Sequence, residues 1–440
     1  MQTVAIVGAS LAGISAARAL RSQGYGGRLV IVGDEPERPY DRPPLSKDFL
    51  AGRITSGDLS LETPEEDLDA EWLLGVAATR LDVQGRVLTL GDGTEVRFDA
   101  VVLATGSHAR TLPEVSGMHN VHTLRTVGDA RRLREQLSAG RRLVVVGAGF
   151  IGAEVASTAR SLGLDVTIIG ADAVPLTAPL GAVMGAHIAG LHQAHGVRLI
   201  CGARVESFAL LDDAVTAVRL ADGREVPADV VVLGIGGVPN VGWLQGSGLD
   251  LADGIRCDAA GRTNVSGIVA VGDCAAWWDE RSGVYSRLEH WTGALERPAV
   301  AAAALLADLS LLAGVTLLAD PELLVDPALL AGFTLRDGVP PLEAGAAAGA
   351  PVLKPPYFWS DQYGIRLQFA GTAQLADRVQ IEAGDPADFS FLAVYYRGEE
   401  AVAVLGANQP RLFTRWRKTL EKGRLISVGD RSLVPTLAVS

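Results

Sequence analysis

The stretch Val4-Ala5-Ile6-Val7-Gly8-Ala9-Ser10-Leu11-Ala12-Gly13-Ile14-Ser15-Ala16-Ala17-Arg18-Ala19-Leu20 decides how the chain is read. Its first four residues are continuously apolar, the pattern of a strand buried on both faces of a parallel sheet. The run stops at Gly8, and Gly8 to Gly13 is a GxGxxG turn with serine in the middle, opening a helix. Gly8 suits the tight turn and Gly13 suits close packing of helix on strand. The helix N-terminus offers unpaired N–H groups to a pyrophosphate, and Ser10 and Ala12 are small enough to let one approach. A second strand, Leu29 to Val32, ends at Gly33-Asp34-Glu35, which puts an acid about 20 residues past the last glycine, where a ribose hydroxyl is normally held. Asp34 suits a hydroxyl pair rather than a 2′-phosphate. Small residues in a strand-to-helix turn also serve packing alone, so this turn needs support from elsewhere in the chain.

At 440 residues the chain exceeds what one hydrophobic core holds and implies two or three domains. Lys and Arg total 39 against 51 Asp and Glu, and the net charge of −12 argues against general nucleic-acid binding, which needs a basic face. Cys201, Cys257 and Cys274 are far apart and form no CxxC or CxxxxC pair. Neither a zinc site nor a redox disulfide is indicated, and a buried apolar role is expected for each thiol. Met1 leads almost directly into the first strand with no signal peptide, so a cytoplasmic, reduced protein is expected.

Leu81 to Phe98 reads as a small antiparallel piece around the turn Gly91-Asp92-Gly93. Ala100 to Gly106 is another buried strand, ending in the small residues Ala104-Thr105-Gly106. Leu143 to Val146 then runs into Gly147-Ala148-Gly149-Phe150-Ile151-Gly152, a complete GxGxxG between strand and helix. A second such unit in one chain is hard to obtain from packing needs alone, and the pair implies two bound nucleotides. The strand Val166 to Ile169 leads to Gly170-Ala171-Asp172, and Asp229 to Gly237 ends in a glycine loop that includes Gly236. Ser266 to Asp273 is an apolar strand that delivers a carboxylate beside the start of a helix, and a carboxylate so placed needs a partner.

One loop carries a resemblance. Arg38-Pro39-Tyr40-Asp41-Arg42-Pro43-Pro44-Leu45-Ser46-Lys47 resembles the flavin-covering loop of the ferredoxin reductases of bacterial oxygenase systems, members of the FAD-dependent pyridine nucleotide disulfide oxidoreductase fold group. The resemblance spans 1 to 305 and 351 to 425, with further motifs in the same order. It implies Arg42 and Lys47 near the flavin, where a cation stabilises negative charge on the reduced ring. It implies that Thr105-Gly106 marks the exit from the flavin domain, that Arg125 lies near FAD, and that Gly236 lies in the loop returning to that domain. It implies Gly272 and Asp273 on the ribityl chain, and Glu289-His290-Trp291 under the ring. Glu154 resembles a glutamate close to the nicotinamide; an ordinary first-turn acid favoured by the helix dipole is an equal alternative. His290 reads equally as an interior histidine and is not taken as a catalytic acid. In Tyr357-Phe358-Trp359-Ser360-Asp361-Gln362-Tyr363-Gly364, which resembles the motif opening the family's C-terminal domain, Trp359 is the candidate flavin-side aromatic.

The implied fold is α/β and glutathione reductase-like, with two Rossmann-like dinucleotide-binding domains, for FAD and NAD, and a C-terminal α+β domain. Expected boundaries are 1–108 and 241–350 for the FAD-binding domain, 109–240 for the NAD(P)H-binding domain and 351–440 for the C-terminal domain. The implied reaction passes hydride from NADH to FAD and then single electrons to a 2Fe-2S ferredoxin, with Lys47, Glu154 and Trp359 as candidate catalytic residues. Asp172 stands one or two positions later than the family's ribose-reading glutamate, and no arginine is near it, so NADH is favoured over NADPH. A monomer or homodimer is expected, with neither nucleic acid nor membrane as partner. A rubredoxin reductase, an NADH oxidase and a non-catalytic redox-dependent flavoprotein are the alternatives.

One segment departs from the family. Leucine pairs recur every six residues from Leu305-Leu306 to Leu329-Leu330, within an insert at about 306–350. A turn per unit is expected, either as a tolerated loop expansion or as a partner contact made by exposed leucines. The apolar window Ala299 to Ala319 is not read as a membrane span, because Asp308 at its middle costs ~3 kcal/mol there. Farther on, Leu367 to Gly371 and Phe391 to Leu405 supply strands, and Arg411 to Lys422 a helix. Its Arg411, Arg415, Arg417 and Lys418 form a basic face that is either solvated or steers an acidic partner.

Overall fold

The computed structural model describes residues 2–279, 283–318 and 354–422, and these form two compact units, each built on its own parallel sheet. The first unit comprises 2–40, 60–107, 239–279 and 283–318 of the described residues. Its five-stranded sheet has the order Ile268–Ala270, Ala100–Leu103, Thr3–Val7, Arg28–Gly33, Ala70–Leu74, every pair parallel. The central strand carries Val4 to Val7 with at most 2 % exposure, as a strand covered on both faces requires. The helix Leu11–Ser22 follows it directly. Three antiparallel strands, Ala78–Asp82, Val87–Leu90 and Glu95–Arg97, form the small piece expected between 81 and 98.

The long helix of this unit, Trp291–Leu318, runs straight through the first three leucine pairs, so the expected turn per six residues is overturned there. The reason is local. Ala and Leu are the strongest helix formers, and buried Ala301, Ala302, Leu305 and Leu309 recur at helical spacing in the unit's core. The later pairs lie outside the described residues. Asp308 is taken up by Arg262, whose Nε is 3.1 Å from Oδ1. Among the described residues no helix is long and apolar enough to cross a membrane.

The second unit comprises 41–59, 108–238 and 354–422 of the described residues. Its parallel sheet has the order Arg198–Ile200, Asp165–Ile169, Arg142–Val146, Val230–Leu233, Val121–His122. A separate antiparallel sheet has the order Tyr357–Gln362, Ile365–Gly371, Glu400–Ala407, Ser390–Arg397, Arg378–Asp385. The segment from Phe391 to Leu405 supplies two of these strands, reversing at Gly398, where φ is +57°. The strand Arg378–Asp385 has no counterpart in the sequence reading; Val379 and Ile381 are only half-buried in it, so its apolar signal is weak. One face of this sheet packs on Leu176, Leu180, Met184 and Ile188, and the other on the helix Pro410–Glu421 through Phe413.

Within the second unit His192 is fully buried on the helix Thr177–Ala194, with Nδ1 2.8 Å from the Tyr363 hydroxyl. Burial, reinforced by nearby His195, pushes its pKa from 6.5 down to about 4. A lowered imidazole pKa leaves the native state short of a proton that the unfolded chain binds. Stability is therefore complete above pH 6.5 and declines as pH falls toward 4, by about 3 kcal/mol from this group. Denaturant unfolding between pH 4.5 and 7 is expected to show a shallower acid slope in His192→Gln than in the parent; equal slopes would assign the acid sensitivity elsewhere.

Candidate dinucleotide sites and a buried ion pair

Each unit contains one glycine turn, and the two have the same geometry. In the first, Gly8 has φ +120° and a Cβ there would stand 2.0 Å from the Ala104 carbonyl oxygen, while one on Gly13 would stand 1.8 Å from the Gly8 oxygen. In the second, Gly147 has φ +110° and its Cβ would meet the Gly234 oxygen at 2.1 Å, and that of Gly152 would meet the Gly147 oxygen at 2.5 Å. The chain's own packing thus demands these four glycines. Gly149, at the middle position, is different: a Cβ there meets nothing within 4 Å. Its open space lies at the N-cap of the helix Phe150–Ser161, as Ser10 lies at the N-cap of Leu11–Ser22, and neither helix has an acid in its first turn. Both ends fit a pyrophosphate, which needs close backbone approach and the uncompensated positive end of a helix.

The other first-unit residues singled out in the sequence cluster near the strand ends. Gly272, at φ +71°, sits against Ala12, whose Cβ is 2.8 Å from where a Gly272 Cβ would be. Thr105 Oγ1 donates to the Asn240 carbonyl at 2.8 Å, and the Asn240 amide returns a bond to the Thr105 carbonyl at 2.9 Å. The Asn240 N–H donates to the Gly106 carbonyl. Asp34 is exposed just past its strand, accepting from the Glu35 N–H at 3.0 Å. Asp273 occupies a short 3-10 turn, Gly272–Cys274, that leads into the strand Ala275–Asp279 rather than into a helix. Sequence reasoning missed Arg287, which pairs with Glu289 and Asp253 and donates to the Asp273 carbonyl at 3.4 Å. Its signal was the two-residue spacing from Glu289, which aligns side chains leaving an extended segment. Burial holds the half-buried His290 below the usual imidazole range, with the Asp273 carboxylate opposing and Arg297 adding to the shift. Trp291 is the first residue of the long helix.

In the second unit Arg42 Nη1 donates to the Arg125 carbonyl at 2.7 Å, joining two residues 83 positions apart. Lys47 reaches Glu154 instead of standing as a lone cation. Its Nζ is 2.6 Å from Oε2, with side chains 18 % and 7 % exposed. Glu154 is the fifth residue of its helix, past the first turn, so the reading as an ordinary first-turn acid is overturned. Its carboxylate accepts three bonds: from Lys47 and from the Ser46 hydroxyl (2.5 Å) on Oε2, and from the Ser360 hydroxyl (2.7 Å) on Oε1. Sequence reasoning gave Ser46 and Ser360 no role. The clue was polar Ser360 and Gln362 sharing one side of a strand with Phe358. Trp359 alternates to the other side, stacked 6.1 Å from Tyr357.

At the second glycine turn, Gly170 follows the strand Asp165–Ile169 and Asp172 is exposed two residues on, its carbonyl accepting from the Gly202 N–H at 2.7 Å. Burial, then the Asp172 charge, push the Cys201 thiol up. Gly236 has φ +99° and its carbonyl accepts from the Arg110 N–H at 2.9 Å.

The family model described as pyridine nucleotide-disulphide oxidoreductase matches residues 2–297, and one described as reductase C-terminal matches 357–432. Putidaredoxin reductase of Pseudomonas putida is 34 % identical over 425 residues, 95 % of this chain and 91 % of that protein. The ferredoxin reductase component of a chlorobenzene dioxygenase from Cupriavidus sp. is 41 % identical over 312 residues, 69 % and 74 % of the two chains. Among solved structures, the covalent putidaredoxin reductase–putidaredoxin complex superposes with a TM-score of 0.82 at 32 % identity, covering 97 % of this chain and 94 % of that one.

Proposed function

We propose, from the premise that the chain belongs to the pyridine nucleotide-disulphide oxidoreductase family, that it is an FAD-dependent reductase drawing on NADH and supplying a 2Fe-2S ferredoxin that serves an oxygenase. The observation that supports it most is the pair of equivalent glycine turns, one per unit, in a chain whose three cysteines are free. Burial pushes each of those thiols up, away from the thiolate that disulfide exchange needs, so electrons leave to an outside acceptor.

FAD, when bound, supplies the hydride acceptor and the one-electron donor; the protein binds, orients and balances charge. On this reading Gly8, Ser10, Ala12 and Gly13 receive the FAD pyrophosphate and Asp34 its ribose. Thr105, Gly106, Gly272, Asp273 and the segment Glu289 to Trp291 serve the flavin in the first unit, and by the resemblance Arg42 and Arg125 are assigned to FAD as well. Gly147, Gly149, Gly152, Asp172 and Gly236 receive NADH. Lys47, Glu154 and Trp359 attend the two rings. On the same reading 1–108 and 241–350 serve FAD, 109–240 serves NADH and 351–440 forms the C-terminal domain, and the compartment is a reducing one such as the cytoplasm.

Arg411, Arg415 and Lys418 are exposed on the helix Pro410–Glu421 and form the basic face offered to an acidic ferredoxin. Arg417 does not join them; it lies over the Tyr357 ring at 4.2 Å and pairs with Glu421. Anaerobic NADH is expected to bleach the flavin, and oxidised 2Fe-2S ferredoxin to restore its colour at a rate falling roughly ten-fold from low to high salt. A flavin that stays yellow under NADH overturns the reading.

A further inference from the structure

The helix Phe150–Ser161 and the strand Tyr357–Gln362 run side by side in register. Phe150 packs edge-on against Phe358 with ring centres 4.6 Å apart, Glu154 takes the Ser360 hydroxyl at 2.7 Å, and Ser157 Oγ accepts from the Tyr363 N–H at 2.7 Å. These helix positions are four and three residues apart, one per turn along a single face. The middle rung of this ladder is polar and closed to water: Ser360 and Gln362 are 0 % exposed and Glu154 is 6 % exposed.

Its hydrogen-bond direction is forced. Gln362 Nε2, 3.1 Å from Ser360 Oγ, can only donate, and the Glu154 carboxylate, as the partner of Lys47, can only accept. The serine proton therefore points at Oε1. With Oε1 held, Oε2 is turned to Ser46 and Lys47.

We propose that Ser360, oriented by Gln362, is a positioning residue that sets the rotation of the Glu154 carboxylate and through it the place of the Lys47 ammonium. The inference rests on the reading that the Lys47–Glu154 pair attends the nicotinamide and flavin rings. Without the serine hydroxyl, Oε1 is buried and unpaired, and the carboxylate turns to share its remaining donors. Ser360 also follows Trp359 directly, so one strand holds both the acid and the aromatic residue in place.

The test uses the FAD-loaded full chain in four forms: parent, Ser360→Ala, Glu154→Gln and the double variant. Ser360→Ala is expected to slow flavin reduction by NADH five- to twenty-fold while the apparent NADH dissociation constant stays within two-fold. In the Glu154→Gln background the same change is expected to alter the rate less than two-fold, because a residue acting through Glu154 has nothing left to position. A second readout needs no turnover: acetylation of Lys47 by acetic anhydride, followed by mass spectrometry, is expected to rise two- to five-fold in Ser360→Ala. Parent-like reduction and labelling in Ser360→Ala, or equal slowing in both backgrounds, overturns the proposal. If Glu154→Gln leaves flavin reduction untouched, it is the location of the pair at the rings that fails, and the labelling still decides whether Ser360 orders Lys47. Should Ser360→Ala not fold, Gln362→Leu removes only the donor that orients the hydroxyl and carries the same expectations at two- to five-fold.

Discussion

Gly8→Ala is expected to yield a protein that folds poorly and holds no flavin. The added methyl would lie 2.0 Å from the carbonyl oxygen of Ala104 and 3.0 Å from the Thr105 nitrogen, both main-chain atoms just past the end of the neighbouring parallel strand. No side chain can swing away to make room. To relieve the contact, the strand Thr3–Val7 would have to part from Ala100–Leu103 at the point where the two end together, beside the helix N-terminus. The residue also sits at φ +120°, which an L side chain rarely adopts. Together these cost on the order of 3 kcal/mol or more. Gly149→Ala is the matched contrast: with nothing within 4 Å of the new methyl, the protein should fold, keep its flavin and lose only NADH affinity. Flavin-to-protein absorbance ratios and an NADH titration separate the two. Full flavin content in Gly8→Ala would remove the first glycine turn from the site.

Lys47→Met is expected to destabilise the protein by about 3 kcal/mol, at the low end for a broken buried pair because the lysine keeps some contact with water. The cost comes less from the lost attraction than from the Glu154 carboxylate left behind, 6 % exposed with two hydroxyl donors and no cation. Pairing Lys47→Met with Glu154→Gln should therefore recover most of the stability, since no lone charge remains. Flavin reduction by NADH should stay slow in both. Thermal unfolding and stopped-flow reduction of the four forms test this. A double variant no more stable than Lys47→Met alone would mean that the pair is not the charge unit described here.

Where the backbone itself imposes the residue type, the sequence could be read directly. Gly8, Gly13, Gly147 and Gly152 are glycines because a carbonyl oxygen occupies the space of their missing Cβ, and the adjoining apolar runs are buried strands for the same local reasons. The surroundings of Glu154 were not readable in this way. Its partners stand 107, 108 and 206 positions off, and nothing at those distances in sequence says which hydroxyl meets which oxygen. The leucine pairs misled for the opposite reason: their period of six was conspicuous, yet alanine-rich spacing and burial of Leu305 and Leu309 outweighed it from Trp291 to Leu318. The basic helix was found by composition, while the withdrawal of Arg417 onto Tyr357 depended on a ring more than fifty residues earlier.

The in-register ladder between the helix Phe150–Ser161 and the strand Tyr357–Gln362 bears on how such chains recombine. A C-terminal segment taken from a relative is not a freely exchangeable cassette, because its first strand and the turn after it must bring an aromatic, a short hydroxyl and an open amide to match Phe150, Glu154 and Ser157. Chimaeras joined after residue 354 should keep working where the incoming segment preserves those three features, and should fail by mispairing where it does not.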